Sequence, residues 1–417
     1  MKILHSHRSA LGSALMIALV TGCSSEPDYR VIRTLDGLGP TSLTAGKDGN
    51  LYGTLEAGGG KGEGLVFKLK PDGTGFEVLH HFSGCLSGGA DGSQPYGLIE
   101  GSDGTLYGTT RSGGVEGGVL AEHGLDAAGN GTVFKIGRDG TGYQVLHAFT
   151  GRDGDGFWPQ AGLVEGRNGT LYGTTLEDSA EHGGVVGSGH GTVFTLNKDG
   201  SDYRVLYTFG TNATQGHQVW AKLILDSNGA LYGTTDGGGQ AQQGTVFRLN
   251  PGDGRYSVLH SFGSDRTDGR GPRSALVEGR DGLLYGTTPV GGNRDCGTVY
   301  KLAKDGSGYA VLHHFTHEGP DGQGPQGLVQ GPDGVLYGTT HGRGAKGSGT
   351  LFSLRPDGSG FRVLHSFPSS PQDGGHPHGA LVLTADSGLY GMTSTRENQS
   401  AAAVFRLSLP PPRSRSP

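Results

Sequence analysis

One four-residue motif returns seven times along this chain, and it limits the possible folds more than any other feature. Leu-Tyr-Gly-Thr begins at Leu51, Leu106, Leu171, Leu231, Leu284 and Leu336, and a variant, Leu-Tyr-Gly-Met, begins at Leu389. Successive copies stand 52 to 65 residues apart, a period at which each unit is one supersecondary element that needs its neighbours to bury its apolar surface. The second period shows the content of a unit. Four short apolar runs, lettered A to D, occupy residues 97–100, 106–110, 132–136 and 143–149. Asp-Gly pairs such as Asp139-Gly140 lie between C and D, because glycine tolerates the positive φ of a tight hairpin. Glycine supplies 84 of the 417 residues, against a usual share of about 7%. Large apolar residues nevertheless recur at fixed places between the glycines, which points to many short strands and tight turns.

Four antiparallel strands per period make a sheet with two apolar faces, and radial stacking covers both. The two ends of the repeat fit this arrangement. The last copy offers A (380–383), B (389–393) and C (404–407), then runs into prolines without a D strand. The segment Asp28-Tyr29-Arg30-Val31-Ile32-Arg33-Thr34-Leu35 matches the D runs, for example Asp202-Tyr203-Arg204-Val205-Leu206-Tyr207-Thr208-Phe209. Pairing it with the last three strands removes an open sheet edge. The expectation is an all-β, seven-bladed β-propeller of four-stranded antiparallel blades over residues 29–409, closed by an N-terminal strand D against C-terminal strands A to C.

The ends carry separate signals. Lys2 and Arg8 precede an apolar run from Leu11 to Val20, too short to span a bilayer as a mature helix. Val20-Thr21-Gly22-Cys23 follows and resembles the lipobox of bacterial lipoproteins. That resemblance implies a signal peptide over residues 1–22, lipidation (palmitate among the acyl chains) on Cys23, and a short anchored linker over 23–28. Ser24 after the cysteine implies, by the same resemblance, the outer membrane. The tail, 410–417, has no apolar content and is expected to be disordered. Whether Cys85 and Cys296 pair is left open by sequence. With 33 Lys+Arg against 39 Asp+Glu, no basic field favours nucleic acid.

Units of the form Leu-Val-Glu-Gly, Asp-Gly, Leu-Tyr-Gly-Thr-Thr, Gly-Thr-Val-Phe-Lys-Leu and Tyr-x-Val-Leu-His-x-Phe resemble the GloVer tandem repeat of exported bacterial proteins that differ in their choice of surface anchor. The likeness spans about residues 29 to 409. It implies an extracytoplasmic place and brings no catalytic motif with it.

An internal repeat separates scaffold from site, since a residue kept in one slot of nearly every unit serves packing. His80, His147, His260, His313 and His365 share a slot of strand D, with Tyr207 and Arg33 in the other two units. Asp36, Asp91, Asp155, Asp268, Asp321 and Asp373 each begin Asp-Gly-x-x-Pro. Both sets are expected to be structural, the aspartates as turn caps. Glu100, Glu165 and Glu278 late in the A strands either approach the channel or face solvent. No metal site and no cofactor are expected.

Function should lie where the units differ. The B-to-C loops are long at 111–131 and 176–191, and they carry Glu122, His123, Asp126, Glu177, Asp178, Glu181, His182 and His190. The D-to-A connections on the same face add Arg152, Asp153 and Trp158, and then His217 and Trp220 where Asp-Gly-x-x-Pro is lost. Tryptophan beside carboxylates and histidines suits stacking on a sugar ring; equally, the indoles could plug gaps between blades. The expected protein is a monomeric, non-catalytic envelope module for a carbohydrate or an envelope protein. A hydrolase or lyase acting on polysaccharide at the same face is the alternative, with Glu177 and Asp178 as the acid groups, His182 or His190 as proton-transfer partner and Arg152 to hold an acid sugar; a structural envelope component is a third.

Overall fold

The computed structural model describes residues 28–84, 90–114, 129–178, 190–210, 212, 214–368, 374–394 and 401–409. Every regular element among them is a β-strand, and together they form an all-β propeller. The second repeat shows the unit. Ser93–Glu100, Leu106–Ser112, Thr132–Ile136 and Gln144–Ala148 pair antiparallel in chain order, as runs A to D require. Four more sheets repeat this order, ending with Gln323–Gln330, Leu336–Gly342, Gly347–Leu354 and Arg362–Pro368. A two-stranded ribbon, Gly269–Arg270 with Val290–Gly291, sits beside the fifth repeat.

Five four-stranded sheets are therefore separate, where the sequence suggests seven. The other seven strands belong to one sheet, and its middle member is the long strand Tyr29–Ala45. The first half of that strand pairs with Ala401–Ser408, placing Tyr29 opposite Leu407 and Asp36 opposite Ala401. Its second half pairs with Leu51–Gly58, placing Gly37 opposite Gly58 and Ala45 opposite Leu51. The reason lies in one missing loop. Elsewhere several residues separate the last aromatic of strand D from the following aspartate, as between Phe149 and Asp155; here Asp36 follows Leu35 directly. With no loop to leave the sheet, the chain runs straight from one unit into the next.

Packing between units makes the core. Tyr52, Val66 and Phe82 of the first repeat pack on Leu98, Leu106 and Phe134 of the second. The same exchange recurs around the ring, and the described residues hold seven such apolar clusters. One joins the ends of the repeat array, where Tyr390, Met392 and Val404 meet Leu43, Leu51 and Phe67. Each fully buried aromatic contributes about 1.5–3 kcal/mol. The glycine of the repeated motif is required by this packing: a Cβ on Gly173 would lie 2.3 Å from Cζ of Phe194 on the paired strand, and one on Gly391 would lie 2.4 Å from Phe405.

At the A edges the backbones themselves touch, since a Cβ on Gly97 would lie 2.0 Å from the Cα of Gly162. At the D edges a pair of stacked side chains fills the gap instead. The A segments thus form the inner ring around the axis, and the D strands form the rim. On the lower face, the carboxylates expected near the channel or in solvent tie adjacent units together. Glu100 accepts from the Lys47 backbone N–H at 2.6 Å, and Glu165 accepts from the Ser102 N–H at 2.7 Å. Lys198 adds an ion pair to Glu165 at 2.5 Å.

Candidate functional site

The rim shows how the constant histidines and aspartates are used. Asp155 accepts hydrogen bonds from the Thr150 N–H (2.7 Å) and hydroxyl (2.8 Å), and lies 2.9 Å from Nε2 of His147. The imidazole of His147 stacks on Tyr203 of the next repeat, with ring centroids 3.7 Å apart, and the Tyr203 hydroxyl donates to the Asp155 carbonyl at 2.8 Å. Aspartate, histidine and aromatic are therefore one clasp between units rather than two separate features. Comparable stacks join His80 to Tyr143, Tyr207 to Tyr256, His260 to Tyr309, His313 to Phe361 and His365 to Tyr29. Arg33 lies over Phe76, 4.9 Å from the ring centre, in the equivalent place.

The sequence candidates in and around the loop-bearing connections fall into several groups. Glu122, His123, Asp126, Glu181, His182, Asp373 and the lipidation site Cys23 lie outside the described residues, as does Cys85. Cys296 is buried with a free thiol, its sulfur 2.7 Å from Nδ1 of His317. Arg152 and Asp153 line an open depression of about 580 Å³ on the rim, together with His147, Tyr203 and Arg204. Glu177 and Asp178 are not open loop carboxylates: they are 1% and 3% exposed. Glu177 continues strand B into a bridge with Phe157, and Asp178 accepts from the His190 N–H at 3.0 Å. Each D-to-A connection is laced in this way to the B-to-C loop of its own repeat. His217 likewise bridges Gly237, and its ring lies 5.9 Å from that of His190. Burial, and the neighbouring His190, keep His217 below the ordinary histidine value.

Both indoles are half-buried and each carries a guanidinium. Arg111 lies 5.2 Å from the centre of the Trp158 ring, and Arg273 lies 5.3 Å from that of Trp220. Arg273 also grips Asp236 through two hydrogen bonds of 2.9 Å. The Trp220 indole nitrogen is buried and has no hydrogen-bond partner among the described residues. Such cation–π pairs contribute about 0.5–1 kcal/mol where exposed and more when desolvated.

Two features are visible only in the fold. The second variable residue of Asp-Gly-x-x-Pro is left-handed in every repeat: glycine at Gly39, Gly271 and Gly324, with φ of 59°, 59° and 65°, but Gln94, Trp158, Gln218 and His376 elsewhere, with φ of 53°, 58°, 62° and 45°. A non-glycine residue there costs of order 1 kcal/mol or more, and such positions concentrate where binding demands them. Three glycines in one slot were the available signal. The second feature is a group of three histidines, with His376 and His378 at 5.0 and 5.1 Å from His341. Burial, with the other two rings beside it, pushes His378 down to about 4.

The family model for the Gloeobacter/Verrucomicrobia repeat matches residues 39–278 and 180–405. No curated protein matches the sequence. Among solved structures, the extracellular domain of a candidate hybrid two-component system from B. thetaiotaomicron superimposes with a TM-score of 0.58 at 12% identity. That alignment covers 92% of this chain and 41% of the other, so this chain spans less than half of that protein's length. A candidate 6-phosphogluconolactonase from Bacteroides uniformis gives 0.50 at 16% identity, covering 82% of this chain and 89% of that one. One from Bacteroides fragilis gives 0.50 at 15%, covering 88% of each. At these identities the likeness is one of fold.

The clasp has a pH signature. Burial works against the charge on Asp155, and hydrogen bonds from His147 and Thr150 outweigh it, so the carboxyl sits below its ordinary value. A carboxyl lowered in the folded state stabilises the fold above its unfolded pKa of about 3.9, and that stability is lost as pH falls through the folded value. Asp155→Asn should cost about 1–3 kcal/mol at pH 7, and its difference from wild type should shrink as pH drops below about 4. Thermal unfolding across that range checks this; a pH-independent difference would contradict it.

Proposed function

The chain belongs to the Gloeobacter/Verrucomicrobia repeat family, and on that premise we propose that it is an exported, lipid-anchored propeller whose loop-bearing face binds a glycan without transforming it. The observation that carries this reading is the placement of Trp158. Its backbone occupies a left-handed slot that three other repeats fill with glycine. Its half-buried indole is backed by Arg111. An amphipathic ring held on a rigid edge, with polar groups at hand, suits the apolar face of a sugar. Burial of Glu177 and Asp178 favours binding over hydrolysis, since glycosidase carboxylates must flank a bound substrate about 5–10 Å apart.

We also count the seven-stranded sheet as two blades that share one unbroken strand, which makes seven in the ring. Support comes from the seven apolar clusters between units and from the equivalent rim contacts of Arg33 with Phe76 and Tyr29 with His365.

Binding of the full chain, purified in detergent, to an array of envelope polysaccharides is the test of function. Trp158→Ala should weaken the bound glycan about tenfold, as loss of an aromatic contact of about 1–1.5 kcal/mol requires. Undiminished binding by that variant would contradict the site. Anchoring through Cys23, by resemblance of Val20-Thr21-Gly22-Cys23 to a lipobox, predicts that the wild type takes up labelled palmitate and fractionates with membranes. Cys23→Ser should do neither; equal labelling of the two would contradict the anchor.

A further inference from the structure

The inner ring holds one residue that the repeat does not explain. In each unit the residue just before the first buried leucine of the A segment occupies the same slot: Ser42, Gly97, Gly162, Lys222, Ala275, Gly327 and Ala380. Six are the smallest residues available, as close approach at the axis demands. A Cβ on Gly162 would meet Gly97 at 3.3 Å, and one on Gly327 would meet Ala380 at 3.1 Å. The seventh is a lysine. Its stem reaches the neighbouring unit, with Cδ 3.4 Å from where a Cβ on Gly162 would stand.

Lys222 differs from the chain's structural lysines. Lys198 and Lys304 each pair with glutamate, at 2.5 and 2.6 Å. No carboxylate among the described residues pairs with Lys222. Its side chain is exposed to solvent, and the protein packed around it still pushes the ammonium below the ordinary lysine value through desolvation. A partly desolvated cation without a carboxylate partner favours an entering anion. Two residues earlier stands Trp220, with its unpartnered indole N–H and half-buried ring. Arg273 over that ring is already neutralised by Asp236, which leaves one positive charge to satisfy.

We propose that the central channel binds a sugar acid, with its single carboxylate on the Lys222 ammonium and its ring and hydroxyls at Trp220. This rests on the glycan reading above and adds to the loop face a second contact, for an acidic sugar. The bound carboxylate favours the charged ammonium and raises its pKa, so binding weakens as pH rises through that value.

The test uses full-length protein in detergent with its lysines reductively ¹³C-methylated, and glucuronate, glucose and acetate as probes. Loss of one resonance in Lys222→Met assigns the residue. That resonance should titrate below the other lysines and move upward with glucuronate, though not with glucose. Glucuronate should bind at least about tenfold more weakly to Lys222→Met, as loss of a charge-assisted hydrogen bond implies. A Lys222 signal that titrates with the surface lysines, or one that acetate moves as far as glucuronate, would overturn the assignment. Equal glucuronate affinity in both proteins would also overturn it, while neutral-glycan binding lost in Trp158→Ala would leave the loop-face reading standing. Absence of binding to every saccharide would sink both.

Discussion

A four-stranded sheet with two apolar faces cannot stand alone in water, and every other property of this molecule follows from how its neighbours cover it. Phe134 and Phe194 are wholly buried because the previous unit supplies the other side of the contact. The first and last repeats have the same need. It is met when Tyr29–Ala45 crosses from the C-terminal strands to the N-terminal ones, so the array closes on itself and leaves no half-covered sheet at either end.

The ring is held at three radii by different chemistry. At the axis, small residues let backbones meet. Between the sheets, the glycine of Leu-Tyr-Gly-Thr makes room for an aromatic edge from strand C. At the rim, a side chain of strand D, histidine in five units, packs on an aromatic ring of the next unit, and at His80 and His147 an aspartate holds the imidazole. Because these slots are filled almost uniformly, departures from them are informative. Lys222 is such a departure, standing where the wall is otherwise Gly, Ala or Ser.

Strand content and closure were legible in the sequence, since Leu-Tyr-Gly-Thr and the orphan D run at 29–35 state them directly. The number of separate sheets was less so, because it turns on the absent loop between Leu35 and Asp36 rather than on any residue present. His147 and Asp155 were each assigned a structural part, but eight positions apart they gave no sign that they share one clasp with Tyr203. Glu177 and Asp178 look like loop carboxylates in a Gly-rich stretch; burial of the extended strand end is a tertiary effect that no local pattern reports. Lys222 is a single lysine, unremarkable until its six equivalents are set beside it.

The most direct measurement concerns Tyr29–Ala45. If its halves serve two blades that merely lack a loop between them, five flexible residues inserted between Leu35 and Asp36, about the length found between Phe149 and Asp155, should be tolerated. Thermal unfolding should stay cooperative, with a loss of no more than about 1–2 kcal/mol for the added loop. Failure of the inserted protein to fold would mean that the long strand is a single indivisible element, and the ring of seven units would not stand.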